Sequence, residues 1–130
     1  MIVNDPDTLA EVTAAFDRYE AALIGNDVEV LDALFWRDAL VIRYGIAENL
    51  HGADEIRAFR QARPSSGLDR TLERTVITTF GRDFATASTL FHRANAAGRV
   101  GRQMQSWARM PEGWRIVAAH VSVIDMPAAP

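Results

Sequence analysis

What most constrains the fold is the second half of the chain, where four segments of strand character follow one another with almost nothing between them. Residues 70–80, 84–94, 99–110 and 113–125 are rich in Thr, Val, Ile and aromatic side chains. The spacers are GRD at 81–83, NAAG at 95–98 and PEG at 111–113. Connections this short join only antiparallel neighbours, because a parallel crossover needs about a dozen residues or more. A long antiparallel meander therefore fills the C-terminal half, and its buried face needs a cover.

The N-terminal half supplies that cover. From Thr8, the apolar positions Leu9, Val12, Phe16, Tyr19 and Leu23 recur at three- and four-residue steps, one helical stripe that ends at Gly25. A second helix is expected from Asn26, with Glu29 completing a capping box and Val30, Leu31, Leu34 and Phe35 as its apolar face. Residues 39–44 read as a strand. A third helix is expected over 53–63, with Asp54 and Glu55 in its first turn and Pro64 just beyond its end. SSGLD at 65–69 is a loop, and the tail MPAAP at 126–130 is expected to fray. Helices first and strands after define an α+β fold, one domain over residues 1–130. Its curved, mainly antiparallel sheet wraps around three N-terminal helices and encloses a conical pocket.

Several chemistries are excluded at once. The chain has no cysteine, so disulfides and thiolate chemistry are absent. His51, His92 and His120 lie far apart with no HxxxH spacing, and neither a Gly-rich phosphate loop nor a GxSxG elbow is present. No metal or other cofactor is expected. A net charge of −3 argues against a nucleic-acid partner, although every basic residue is arginine. No apolar run reaches membrane-spanning length, and MIVNDPDTLAEV lacks the basic and apolar regions of a secretory signal. The expected location is the cytoplasm.

Four places can carry chemistry, each with a plain structural alternative. Tyr19 lies on the first apolar stripe, so its ring faces the core and its hydroxyl needs a partner there, either an ordinary backbone acceptor or a substrate. Arg43 shares a strand face with Val41, while Ile42 and Tyr44 share the other, so alternation leaves its direction open between solvent and interior. An inward Arg43 needs an anion, supplied either by Glu48 or by a substrate carboxylate. In WRIVAAHVSVI, strict alternation puts Trp114, Ile116, Ala118, His120 and Ser122 on one face. Both faces are largely apolar, which suggests cover by the helices on one side and by a second copy of the chain on the other. His120 and Ser122 then become buried polar groups, either satisfied in the core or lining a pocket. In the preceding strand Gln103, Gln105, Trp107 and Arg109 share a face that suits a polar pocket wall and a solvated surface equally.

The segments FDRYEAALIGNDVEVLDALFW, VIRYGIAENLHGADEIRAFRQAR and GRQMQSWARMPEGWRIVAAHVS resemble the NTF2-like, SnoaL-like superfamily. Within it they resemble the oxalurate-catabolism-associated (AtzH/HpxZ-like) group over roughly residues 5–125. RYE, RYG-x-x-E and FRQAR carry the narrower match; Met104 departs from it, standing where a small polar residue is expected. That group includes the decarboxylating amidohydrolase of cyanuric acid degradation, which converts 1,3-dicarboxyurea to allophanate. The resemblance implies a cone-shaped α+β fold, dimeric through the sheet, with its site inside the cone. It also implies Tyr19 and Arg43 as the catalytic pair, acting on a small carboxylated urea. Gln105, Trp107, His120, Ser122 and Glu48 would complete the substrate site.

Two other readings compete. One is a non-catalytic accessory protein holding oxalurate or a similar acid in the same cone. The other is a ketosteroid-isomerase-like enzyme, whose carboxylate base would have to be Glu48 or Glu73.

Overall fold

The computed structural model describes residues 1–127, so the end of the tail expected to fray lies outside the described residues. Helix α1 runs Pro6–Ile24, two residues longer at its start than the stripe predicts, because Asp5 caps it and Pro6 takes the first-turn position that needs no N–H. Helix α2 runs Val28–Leu34 and α3 runs Ala53–Ala62. The cap of α2 is Asp27, whose carboxylate accepts from Val30 N, and not Asn26. Asn26 instead adopts φ 50, a left-handed conformation that asparagine tolerates, and turns the chain between the helices.

Six strands form one curved, unclosed sheet: β1 Ile42–Tyr44, β2 Asn49–His51, β3 Thr71–Phe80, β4 Phe84–His92, β5 Arg99–Met110 and β6 Gly113–Asp125. The order is β2-β1-β6-β5-β4-β3. The meander β3 to β6 is antiparallel throughout, as its short spacers require. β1 adds to β6 in parallel, and β2 folds back on β1 as a short hairpin. The expected strand over 39–44 is thus reduced to three residues, and β2 is an element that sequence reading missed.

The core lies between helices and sheet. Val12, Phe16, Tyr19 and Leu23 of α1 and Leu31 and Leu34 of α2 are buried against Ala85 and Ala87 of β4, Trp107 of β5, and Trp114 and Ile116 of β6. The alanines leave room for the helices to approach, and Trp107 fills the centre.

One irregularity decides which side chains enter the cone. Between Ser106/Trp107 and their partners on β6 the register shifts, so Ser106 pairs with Ala118 but Trp107 with Ile116. Val117 is the extra residue of this β-bulge, which reverses the alternation beyond it. Trp114 and Ile116 point inward as expected, but so then do Ala119 and Val121, while His120 is exposed on the outer face.

Candidate functional site

A partly open cavity of about 230 Å³ lies among α1, α3, the β1–β2 hairpin and the inner faces of β4 to β6. Tyr19, Arg43 and Glu48 all line it. A larger depression of about 520 Å³ lies elsewhere, lined by residues such as Asp32, Asp38, His51 and Glu55, and contains none of the expected site residues. Among the described residues no three His, Asp or Glu side chains converge as a metal site would require.

Arg43 points inward. Parallel pairing of β1 with β6 sets it opposite Ala119, an inward position, and leaves it 7% exposed beside the fully buried Val41. Its Nη1 donates to Glu48 Oε1 at 2.8 Å, while Ala47 N donates to the other oxygen of the same carboxylate at 3.1 Å. The Arg43 guanidinium also lies 5.2 Å from the Phe59 ring centroid. The pair does not close the cavity, since both partners remain part of its lining.

Tyr19 is 2% exposed and surrounded by cations. Burial pushes its phenol pKa up. The charges of Arg60, then Arg43 and Arg70, outweigh that and hold it below its ordinary value of 10.0, with only Glu20 opposing them. The leading cation is thus Arg60, with Arg43 behind it.

Arg60 is the residue that sequence reading missed. It projects from the buried face of α3 with Ile56, is 1% exposed, and stacks 4.7 Å from the Phe35 centroid. Among the described residues its three side-chain nitrogens have no well-aligned hydrogen-bond partner, but the Tyr19 hydroxyl beside it acts as acceptor and charge and raises its pKa against the larger lowering effect of burial. Its signal was present: Ile56, Arg60 and Arg63 fall at helical spacing, so an arginine on the apolar face of α3 was readable from FRQAR. Arg63, Arg70 and Arg93 line the same cavity. Arg70 is held by Glu20 of α1, with Nε to Oε2 at 3.1 Å and Nη2 on the other oxygen, and also donates to Gln103 Oε1 at 2.9 Å. Glu20 was readable too, four residues after Phe16 on the buried stripe, whereas Arg70 and Arg93 follow no periodic signal.

The remaining expected residues divide. Gln105 and Trp107 are buried and inward-facing but lie behind the cavity wall, joined by a 3.0 Å hydrogen bond from Trp107 Nε1 to Gln105 Oε1. Gln103 is the amide that lines the cavity. His120 and Ser122 do not: the bulge at Val117 turns them outward, where Ser122 Oγ accepts from Arg102 Nε at 3.0 Å. Val121 takes the cavity position instead. Of the two carboxylates considered as an isomerase base, Glu73 is exposed and paired with His92 at 2.7 Å, and Glu48 is paired with Arg43.

The sequence model of the AtzH-like family matches residues 1–127. The chain belongs to the AtzH-like family. Solved structures of similar length share its fold. A protein of unknown function from Pectobacterium atrosepticum, of the DUF3225 family, is 65% identical, with 95% of each chain covered and a TM-score of 0.92. A cystatin-like fold protein from Burkholderia xenovorans is 54% identical, with 98% of this chain and 99% of that chain covered and a TM-score of 0.93. An NTF2-like protein of unknown function from Pseudomonas putida, 16% identical over 89% of this chain and 86% of that chain, has a TM-score of 0.75 and shares the fold of this AtzH-like protein. No curated protein matches the chain. No helix among the described residues is long and apolar enough to cross a membrane.

Proposed function

We propose that this AtzH-like protein is a metal-independent decarboxylating amidohydrolase that converts 1,3-dicarboxyurea to allophanate in the breakdown of cyanuric acid or a related ureide. The observation that carries this reading is a phenol with a lowered pKa lining a small cavity in which arginines outnumber carboxylates. A planar carboxylated urea suits such a cavity, because guanidinium edges match carboxylates. In the step itself the bond between nitrogen and one carboxylate carbon breaks and carbon dioxide leaves. The electron pair stays on nitrogen and takes a proton from Tyr19, which recovers one from water. Arg43 orients the substrate. A phenol that ionises more readily than usual is a better donor for this transfer. Glu48 competes with substrate for Arg43 and so sets how tightly it is held.

The test is to mix the purified protein with enzymatically generated dicarboxyurea and follow its loss against the uncatalysed background. Tyr19→Phe should cost about 10²- to 10⁴-fold in rate, and Arg43→Ala should raise KM. No acceleration by the wild type would leave the accessory-protein reading, binding without turnover, in its place. Full rates in both variants would sink the assigned mechanism. The same proposal includes a cytoplasmic homodimer joined through the outer face of the sheet, where exposed Met104 pairs with exposed His120 across β5 and β6. Light scattering on the purified protein checks the dimer, and a monomer would remove it.

A further inference from the structure

Each arginine of the cavity can be asked what satisfies it. Arg70 has the Glu20 carboxylate and Gln103. Arg43 has Glu48. Arg93 donates to Gly67 O at 2.7 Å and lies 5.3 Å from the Phe91 centroid. Arg60 faces the Tyr19 hydroxyl and does not line the cavity. Among the described residues, Arg63 alone both lines the cavity and has buried nitrogens, Nε and Nη2, with no hydrogen-bond partner.

Those two nitrogens form one edge of the guanidinium, the edge whose paired N–H groups match a carboxylate in a bidentate contact. The guanidinium lies 6.0 Å from the Phe59 centroid, and the same ring carries Arg43 at 5.2 Å. One aromatic side chain of α3 thus brings two guanidinium groups to the same part of the wall, one neutralised by Glu48 and the other not. Building on the function proposed above, we propose that Arg63 is the specificity-determining residue of the cavity. It receives a ligand carboxylate on its Nε–Nη2 edge while Arg43 holds the ligand's other end.

The electrostatics agree. Burial, together with the like charges of Arg60, Arg43 and Arg93, brings the Arg63 pKa down to about 10, with Tyr19 opposing. In the empty protein this cation is crowded and underhydrated, so it works against folding; a bound anion removes that penalty. An arginine present only to support the fold would show the opposite balance, with its removal costing stability.

The experiment uses malonate, a small dicarboxylate that cannot be turned over, with acetate as the one-carboxylate control. Binding is read by calorimetry and by the rise in Tm on the intact chain. Wild type should bind malonate more tightly than acetate. Arg63→Met should weaken malonate about tenfold or more, as loss of a charged hydrogen-bonded pair implies, with a ligand-free Tm equal to or above that of wild type. Arg63→Lys should recover part of the affinity, and Arg63→Gln serves the same comparison should the methionine variant aggregate. Malonate affinity unchanged in the Met and Gln variants, a fall in their ligand-free Tm, or no binding by wild type at millimolar malonate would each overturn the assignment. Because malonate is inert, these outcomes are independent of whether dicarboxyurea is turned over.

Discussion

Arg60 and Tyr19 pack against one ring: the Arg60 guanidinium lies 4.7 Å from the Phe35 centroid and the Tyr19 ring centroid 6.2 Å from it, with both side chains buried. Tyr19 is the strongest favourable partner of that buried guanidinium, which in turn favours the ionised phenol.

The first prediction concerns that phenol. The chain has two tyrosines, Tyr19 and Tyr44, so in Tyr44→Phe the tyrosinate absorbance reports Tyr19 alone. Its midpoint should fall below 10, and adding Arg60→Met should raise it. Because the folded pKa is below the unfolded one, the folded protein holds fewer protons in the window between them. Stability therefore rises with pH across that window and the gain is lost as pH falls through the folded pKa. Turnover should run the other way, declining as pH rises through the same midpoint, because the donor loses its proton. A midpoint indifferent to Arg60 would remove that residue from any part in tuning Tyr19.

A second prediction concerns the ion pair that fixes α1 to the start of the sheet. Arg70 and Glu20 have side chains 2% and 10% exposed. Glu20→Ala leaves a buried guanidinium without its carboxylate and should cost about 3–5 kcal/mol, read from denaturant unfolding. A loss below about 1 kcal/mol, the range of surface pairs, would mean that water reaches Arg70 freely.

The glycines beside the site allow a third. A Cβ on Gly45 would collide with the Glu48 carboxylate, and one on Gly101 with the Phe91 ring. Gly45→Ala should therefore displace Glu48 from Arg43 and alter anion affinity with a small loss of stability. Gly101→Ala pushes the ring under Arg70, which sits 4.5 Å from the Phe91 centroid, and should cost about 1–3 kcal/mol from overpacking. Thermal unfolding and malonate binding separate the two effects; equal stability losses in both variants would contradict the assignment.

The fourth prediction follows from the bulge. His120→Ala and Ser122→Ala should leave malonate affinity within about twofold of wild type, a change under about 0.5 kcal/mol, since neither side chain lines the cavity. Val121→Asp should damage it. Strong loss in the histidine variant would mean that β6 keeps a single alternation to its end.

Much of this architecture was legible because it depends on local patterns. The stripe of α1 places Tyr19 inward by helical periodicity alone, and the turns at 81–83 and 111–113 dictate antiparallel pairing. Arg43 was not decidable, because Val41 and Ile42 are both apolar; its direction comes from pairing with Ala119, 76 residues away in a parallel ladder that no local signal announces. His120 and Ser122 were misplaced for a related reason. The extra residue at Val117 is defined only against Ser106 and Trp107 on the neighbouring strand. Strand β2 is three residues long and stands because β1 pairs with it, so it leaves too short an alternation to recognise. Arg60 and Arg63 were legible as helix-face positions, yet what partners them is a property of the assembled cavity.

The bulge at Val117 also bears on how this pocket could be retargeted. Before it, even-numbered residues of β6 form the interior; after it, odd-numbered residues do. A library built on one parity along the whole strand would mutate interior at one end and exterior at the other. Positions for redesign are better counted from Val117 in both directions, and a one-residue deletion there would exchange the wetted and enclosed sides of everything that follows.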